Sequence, residues 1–193
     1  REMMDHLQQA FAFDIRIRRD VDEHFPAAGI TVVSYEVTTY SVVFAEHGVT
    51  VTAFLVDHGP VKPAFGYRVD YRGRSVVLSG DTRVSENLVR HAQGTDVLVH
   101  EVLDPEELRN RPNHPSDAVI GAIIAHHTTP QQAGEVFRRV APRLAVYSHG
   151  ANTERILSQT RAAYAGPLQG AEDLLTILIG AQIEVLHHTP PPR

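Results

Sequence analysis

The 193-residue chain contains no cysteine. A disulfide framework is therefore excluded, and any metal must be held by histidine and carboxylate. The absence also fits a reducing, cytoplasmic setting. No apolar run is long enough to span a membrane. No long basic stretch occurs, and the net charge is −5 with histidine counted neutral. Phosphate binding usually concentrates positive charge on one face, so a nucleic-acid or anionic-membrane partner is not expected. No internal repeat or linker divides the chain, which reads as one domain or part of one. The opening Arg1-Glu2-Met3-Met4-Asp5-His6 reads as the middle of a domain rather than as a signal peptide.

What is present is ordinary in bulk and unusual in detail. Hydrophobic residues at 42% and charged residues at 21% suit a soluble domain with a real core. Twelve histidines are many for this length.

The patterning predicts strands first, then alternating strands and helices, and hence an α/β sandwich with helices packed on a sheet. Residues 3–11 have helical spacing, and 13–29 are charged and irregular. Residues 30–37, 41–46 and 49–56 alternate like strands. A hairpin is predicted over 65–71 and 74–78, turned at Arg72-Gly73. Helices are expected at 85–93 with Ser85 as N-cap, at 116–125 capped by Ser116, at 130–140 behind Thr129-Pro130, and at 152–164. Residues 104–115 read as a loop with a helical turn. Strands are expected at 96–100 and 144–147, with a closing hairpin over 174–179 and 182–186. The Pro-rich tail 189–193 reads as frayed.

The chemistry-bearing residues fall where apolar strands stop. His58 follows Ala53-Phe54-Leu55-Val56, Asp81 follows Val76-Val77-Leu78 through Ser79-Gly80, His100 follows Val97-Leu98-Val99, and His149 closes the run through Tyr147-Ser148. In sheets flanked by helices, sites form in the crevice at strand ends. Imidazole and carboxylate suit Zn, Mn or Fe. Taken singly, a strand-end histidine is more often a hydrogen-bonded core or surface residue than a ligand. Asp81 alone could cap its turn, Glu101 could be a solvated charge, and His127 could only stabilise the loop before a helix. Their joint order carries the argument.

That order resembles the metallo-β-lactamase-fold hydrolases, in the branch of ribonuclease Z and the arylsulfatase-like enzymes. Asp57-His58-Gly59-Pro60, followed by Gly66-Tyr67-Arg68, resembles the segment with a metal-binding histidine. Ser79-Gly80-Asp81-Thr82-Arg83 resembles the one with the bridging aspartate. His100-Glu101-Val102 and His127-Thr128-Thr129 resemble the His-Glu-Ala and His-Ser-Thr motifs, and Tyr147-Ser148-His149 the segment of the last metal-binding histidine. The resemblance implies an αββα sandwich and two metal ions, zinc first and Mn or Fe otherwise. It makes His58 a ligand of the first metal, Asp81 the bridge and His149 a ligand of the second. His127 becomes a proton donor or oxyanion partner, oriented by Glu101.

The family's main signature, His-x-His-x-Asp-His, does not occur in this sequence. The chain is therefore expected to carry the C-terminal portion of a single domain. The N-terminal half would be truncated, proteolysed or on another chain. Alone it is expected to be inactive, to bind metal poorly and to expose an apolar face, which favours pairing with another chain or with itself. Only one short hairpin separates Arg68 from Ser79, where a ribonuclease Z often carries a long RNA-gripping arm. The expected activity is thus hydrolysis of a small ester substrate (an aryl sulfate, phosphodiester or lactone). Transfer-RNA 3′ processing is the alternative, and a non-catalytic remnant or binding subunit is the third reading.

Overall fold

A computed structural model describes residues 1–149 and 154–187. The chain divides into two units, Arg1–Thr38 and Thr39–Arg193. The first holds helix α1 (Glu2–Ala10), helix α2 (Ala12–Arg16), one wide helical turn (Ile17–Val21) and one tight turn (Ala27–Ile30). Gln8 ties α1 to the tight turn by donating to the Ile30 carbonyl at 3.0 Å. Residues 30–37, expected as a strand, form none. Their alternation suits one, but a strand exists only where a neighbour accepts its hydrogen bonds. The stretch expected to be irregular is instead helical through Val21.

The second unit is built on a seven-stranded sheet in the order β1 to β7. Strands β1 (Ser41–Glu46), β2 (Val49–His58), β3 (Val61–Tyr71) and β4 (Arg74–Leu78) form an antiparallel meander. Its turns at His47-Gly48 and Arg72-Gly73 have positive φ at both central positions. This is the backbone twist that two-residue hairpins need. Strands β5 (Val97–Glu101), β6 (Leu144–Ser148) and β7 (Leu168–Gly170) continue the sheet in parallel. The three-residue β7 was not expected from the sequence, because it is too short to show a period. Strands β8 (Thr176–Ile179) and β9 (Ile183–Leu186) form a separate hairpin, as the sequence predicts.

Alternation along the strands assigns the two faces. Val77, Leu98, Ala145 and Tyr147 join Phe54 under helices α3 (Glu86–His91), α6 (Pro130–Val140) and α7 (Glu154–Arg161). Val97, Leu144 and Val146 meet Ile177, Ile179, Ile183 and Val185 of the hairpin on the other face. The layers thus run helix, sheet, sheet, as in an αββα sandwich. Phe137 of α6 is fully buried at the centre of the helical side. Truncating such a residue costs about 3–5 kcal/mol.

Helix ends follow their sequence signals where side chains reach. Ser85 accepts from the Leu88 amide at 3.4 Å. Thr129 and Gln132 form a reciprocal capping box ahead of α6. Helix α4 (Pro105–Asn110) supplies the expected turn, with Asp104 as its cap. Ser116 precedes α5 (Asp117–Ile124) without a side-chain cap bond, so its expected role is not met. Residue 152, the expected start of the next helix, and the tail 189–193 lie outside the described residues.

The meander's hairpin-side face is less covered. Register puts Val51, Val69 and Val76 in one row and Tyr67 beside Leu78 in the next. Tyr67, Leu78, Leu55 and Phe44 are all exposed.

Candidate metal and acid–base site

Glu101 ends β5 with its side chain 1% exposed, and it organises the site. Oε1 accepts the main-chain amides of Thr82 at 3.1 Å and Thr128 at 3.0 Å. It also accepts Nδ1 of His127 at 3.2 Å. Thr128 Oγ1 donates to the Thr82 carbonyl at 2.6 Å, closing the knot. Two loops far apart in sequence are thereby fixed to one carboxylate.

The Ser79-Gly80-Asp81 turn is held as tightly. Ser79 Oγ accepts the Glu101 amide at 3.0 Å. Gly80 has φ +60°, and an added Cβ would lie 2.5 Å from the Phe65 carbonyl oxygen. Only glycine fits that approach. The turn is tied to the end of β2, where the Arg83 amide donates to the Asp57 carbonyl at 2.8 Å. The Arg83 guanidinium and the Gly59 amide hold the Asp57 carboxyl below its ordinary range.

Of the expected site residues, His58, Asp81, Glu101, His127 and His149 are brought together. The rings of His58 and His127 are 4.9 Å apart, and those of His127 and His149 stack at 6.2 Å. Asp81 Oδ2 lies 3.7 Å from His149 Nε2. Asp81 and His149 are 42% and 63% exposed, against 11% for His127. The buried Glu101 thus lies at the base of a site that opens at Asp81 and His149. His127 and His149 border a cavity of about 410 Å³, whose apolar wall includes Leu103, Leu108 and Ile123.

His100 does not join them, which corrects its expected place in the cluster. It shares the helix-facing side of Leu98 and lies edge-on to Phe137 at 5.9 Å, fully buried. Nδ1 donates to the Glu101 carbonyl at 2.6 Å. Burial pushes its pKa down to about 4, against the pull of that bond, so it is a neutral core residue.

Burial also pushes Glu101 up to about 8; the Thr82 and Thr128 amides oppose this, and Asp81 adds to it. Among the described residues, no Lys or Arg pairs with the carboxyl. His127 is lowered chiefly by burial and also by His58, His126 and His149, while Asp81 raises it. Perturbed groups gathered around a cleft are the expected signature of a working site.

Sequence reasoning missed two parts of this arrangement. The Thr82 and Thr128 amides are main-chain groups, which no side-chain pattern reveals. His126 was passed over beside His127, although its ring lies 4.9 Å from that of His58. The adjacent pair of histidines was the available signal.

His58, Asp81 and His149 are hard-to-borderline donors of the type that holds Zn, Mn or Fe. They fit part of a metal shell: Asp81 and His149 form a pair, and the His58 ring meets that of His127. The sequence holds no His-x-His-x-Asp-His to complete it.

Known proteins resemble this chain over much of its length. The chain is 30% identical over 148 residues to Ribonuclease Z of Mycolicibacterium gilvum, covering 77% of itself and 50% of that protein. It is 32% identical over 150 residues to Ribonuclease Z of Mycobacterium marinum, covering 77% of itself and 51% of that protein. The chain therefore spans about half the length of these curated relatives. Among solved structures, the metallo-β-lactamase fold protein YhfI from Bacillus subtilis superimposes with a TM-score of 0.54 at 14% identity, over 72% of this chain and 52% of that one. So small an identity speaks for the fold alone. Among the described residues, no helix is long and apolar enough to cross a membrane. Residues 1–150 match the family described as Beta-lactamase superfamily domain, and the chain belongs to that family.

Proposed function

We propose that this chain carries the C-terminal portion of a metal-dependent hydrolase domain that cleaves a small ester (an aryl sulfate, phosphodiester or lactone). The observation that carries the reading is the Glu101–His127 pair beside Asp81 and His149 at one cleft. His58, Asp81 and His149 are assigned to metal, with Asp81 as the bridge. Two ions, when bound, supply a polarised ester oxygen and a water made nucleophilic at neutral pH.

The chain's own residues perform the proton work. Glu101 Oε1 already accepts two amides, so His127 must donate from Nδ1. Its Nε2 is then the atom that carries a proton to the leaving oxygen, in the manner of a positioned general acid. The Thr82 and Thr128 amides hold Glu101 in place, and Glu101 in turn orients His127. The apolar wall at Leu103, Leu108 and Ile123 supports a compact organic leaving group, and the cavity has the size of a small-molecule site. The acidic net charge and the two-residue turn at Arg72-Gly73 support a small substrate over a polynucleotide.

Transfer-RNA 3′ processing is the second reading, favoured by the relatives named ribonuclease Z. A bis-aryl phosphate, an aryl sulfate, a lactone and a precursor transfer RNA, offered to the complete domain, separate the two. Turnover of the bis-aryl phosphate that His127→Ala reduces by at least a hundredfold is expected, within the range of general acid catalysis. Cleavage of the RNA alone would reverse the order. No turnover of any of them by an intact domain would favour a remnant or binding subunit.

The exposed side chains of Phe44, Leu55, Tyr67 and Leu78 on this face support a covering partner: the rest of the domain or another copy. The absence of cysteine supports a reducing, cytoplasmic setting.

A further inference from the structure

We propose that His58, His126 and His127 form a three-imidazole site that takes one zinc-like divalent ion in the chain as it stands. One ring nitrogen of each comes within 4.8 Å of the others, and all three residues are half-buried. This is the one group of three such donors that meets so closely among the described residues.

Two of the rings are already set for ligation. His58 Nδ1 lies 2.9 Å from the His126 carbonyl oxygen. A carbonyl only accepts, so Nδ1 carries the proton and Nε2 keeps its lone pair. The same holds for His127, whose Nδ1 must donate to the Glu101 oxygen that two amides already engage. Imidazoles that bind metal are commonly oriented in this way, by a carbonyl or carboxylate on the far nitrogen. His58 and His127 thus have their second partners before any ion arrives.

His126 stands at the end of α5 against the loop that follows β2. An added Cβ on Gly59 would lie 2.9 Å from His126 Cβ. Glycine therefore permits the approach that brings His126 to His58, and the His58–His126 hydrogen bond fixes it. Asp81 acts electrostatically on His127, so a negative charge stands near that ring. Zinc bonds to nitrogen are 2.0–2.1 Å long, which places tetrahedral ligands about 3.4 Å apart. The rings must therefore close by up to about 1.4 Å, which half-buried side chains can do by rotation.

This arrangement differs from the one the family resemblance carries. There His58 joins upstream donors and His127 stays free for protons. Here the ion takes the remaining nitrogen of His127 and silences it as an acid. The inference needs only the side chains of this chain and does not depend on the hydrolase reading. It also amends the expectation that the chain alone binds metal poorly.

The test is titration of the purified metal-free chain with Zn²⁺ by calorimetry and with Co²⁺ by visible absorption. One ion per chain is expected, with the intense absorption of tetrahedral cobalt. His126→Ala is expected to weaken binding at least about tenfold, and His149→Ala to change it less than about threefold. Circular dichroism checks that each variant is folded. Should His126→Ala not fold, the number of imidazoles on the wild-type cobalt, read from its shifted ring-proton resonances, decides. Three imidazoles support the site, and two or fewer overturn it. Absence of stoichiometric binding, full binding by folded His126→Ala, or binding lost in His149→Ala but kept in His126→Ala also overturns it.

Discussion

Strand β5 has a buried carboxylate at each end, and the two have opposite characters. Asp96, just before the strand, pairs with Arg143 at 2.6 Å and Arg74 at 3.6 Å and accepts the Ser75 amide at 2.8 Å. Burial pushes its pKa up, but Arg143 and the Ser75 amide prevail and hold it below its ordinary 3.8. Glu101, at the other end, has no Lys or Arg partner among the described residues, and its pKa rises to about 8. Arg143 also grips the Gly180 and Ala181 carbonyls, so Asp96 anchors the β8–β9 hairpin to the sheet. One end of the strand is therefore arranged for stability. The other withholds the cation that would quiet its acid, and that is where the histidines gather.

The comparison breaks most sharply at Glu101. Glu101→Ala leaves two buried amides without their acceptor and is expected to cost about 3 kcal/mol or more in urea unfolding. Glu101→Gln keeps an oxygen for them and should cost less than half as much. Equal losses would mean that charge, not hydrogen bonding, holds the knot.

Asp96→Asn comes next, at about 2 kcal/mol at neutral pH, because Arg143 then loses its buried partner. The sign follows from the depressed pKa. The stability Asp96 contributes is present above the ordinary carboxylate value and is lost as pH falls through the range below 3.8. Unfolding measured from pH 7 down to pH 2 should therefore show the gap between wild type and variant closing on the acid side. A constant gap would deny the ion pair its role.

Arg143→Met keeps the apolar stem and removes the cation, so about 1 kcal/mol is expected, with early loosening of the hairpin amides in hydrogen exchange. The smallest effect is at the open rim. His149→Ala, at a position already 63% exposed, should change stability by no more than about 0.5 kcal/mol. A larger loss would show that the rim is structural after all.

The contrast also explains what could be read in advance. Strands β1 to β6 and helices α3, α6 and α7 announce themselves by local period, N-caps and glycine turns. Asp81 and His58 are visible because each stands where an apolar run meets a glycine. Glu101 could be noticed beside His100, but not its bonds to Thr82 and Thr128, which join residues 19 and 27 positions away. The parity of β5 sends His100 to the core, and parity can be judged only once it is known which face the helices cover. Residues 30–37 fail as a strand for a related reason: pairing is decided elsewhere in the chain. His126 was legible as a residue and illegible as a neighbour, because its approach depends on the missing side chain of Gly59.

The meander of β1 to β4 closes through short turns, whereas β5, β6 and β7 each join the sheet after a crossover. Loop closure costs entropy before long-range contacts repay it, so local ladders are the faster to form. Pulse-labelled amides of β2 and β3 should accordingly gain protection before those of β5 and β6. His58 belongs to the early half, while Glu101 and His127 belong to the late one. The hydrogen bond from His58 to the His126 carbonyl then forms only when both halves have met, and its appearance marks the completion of folding.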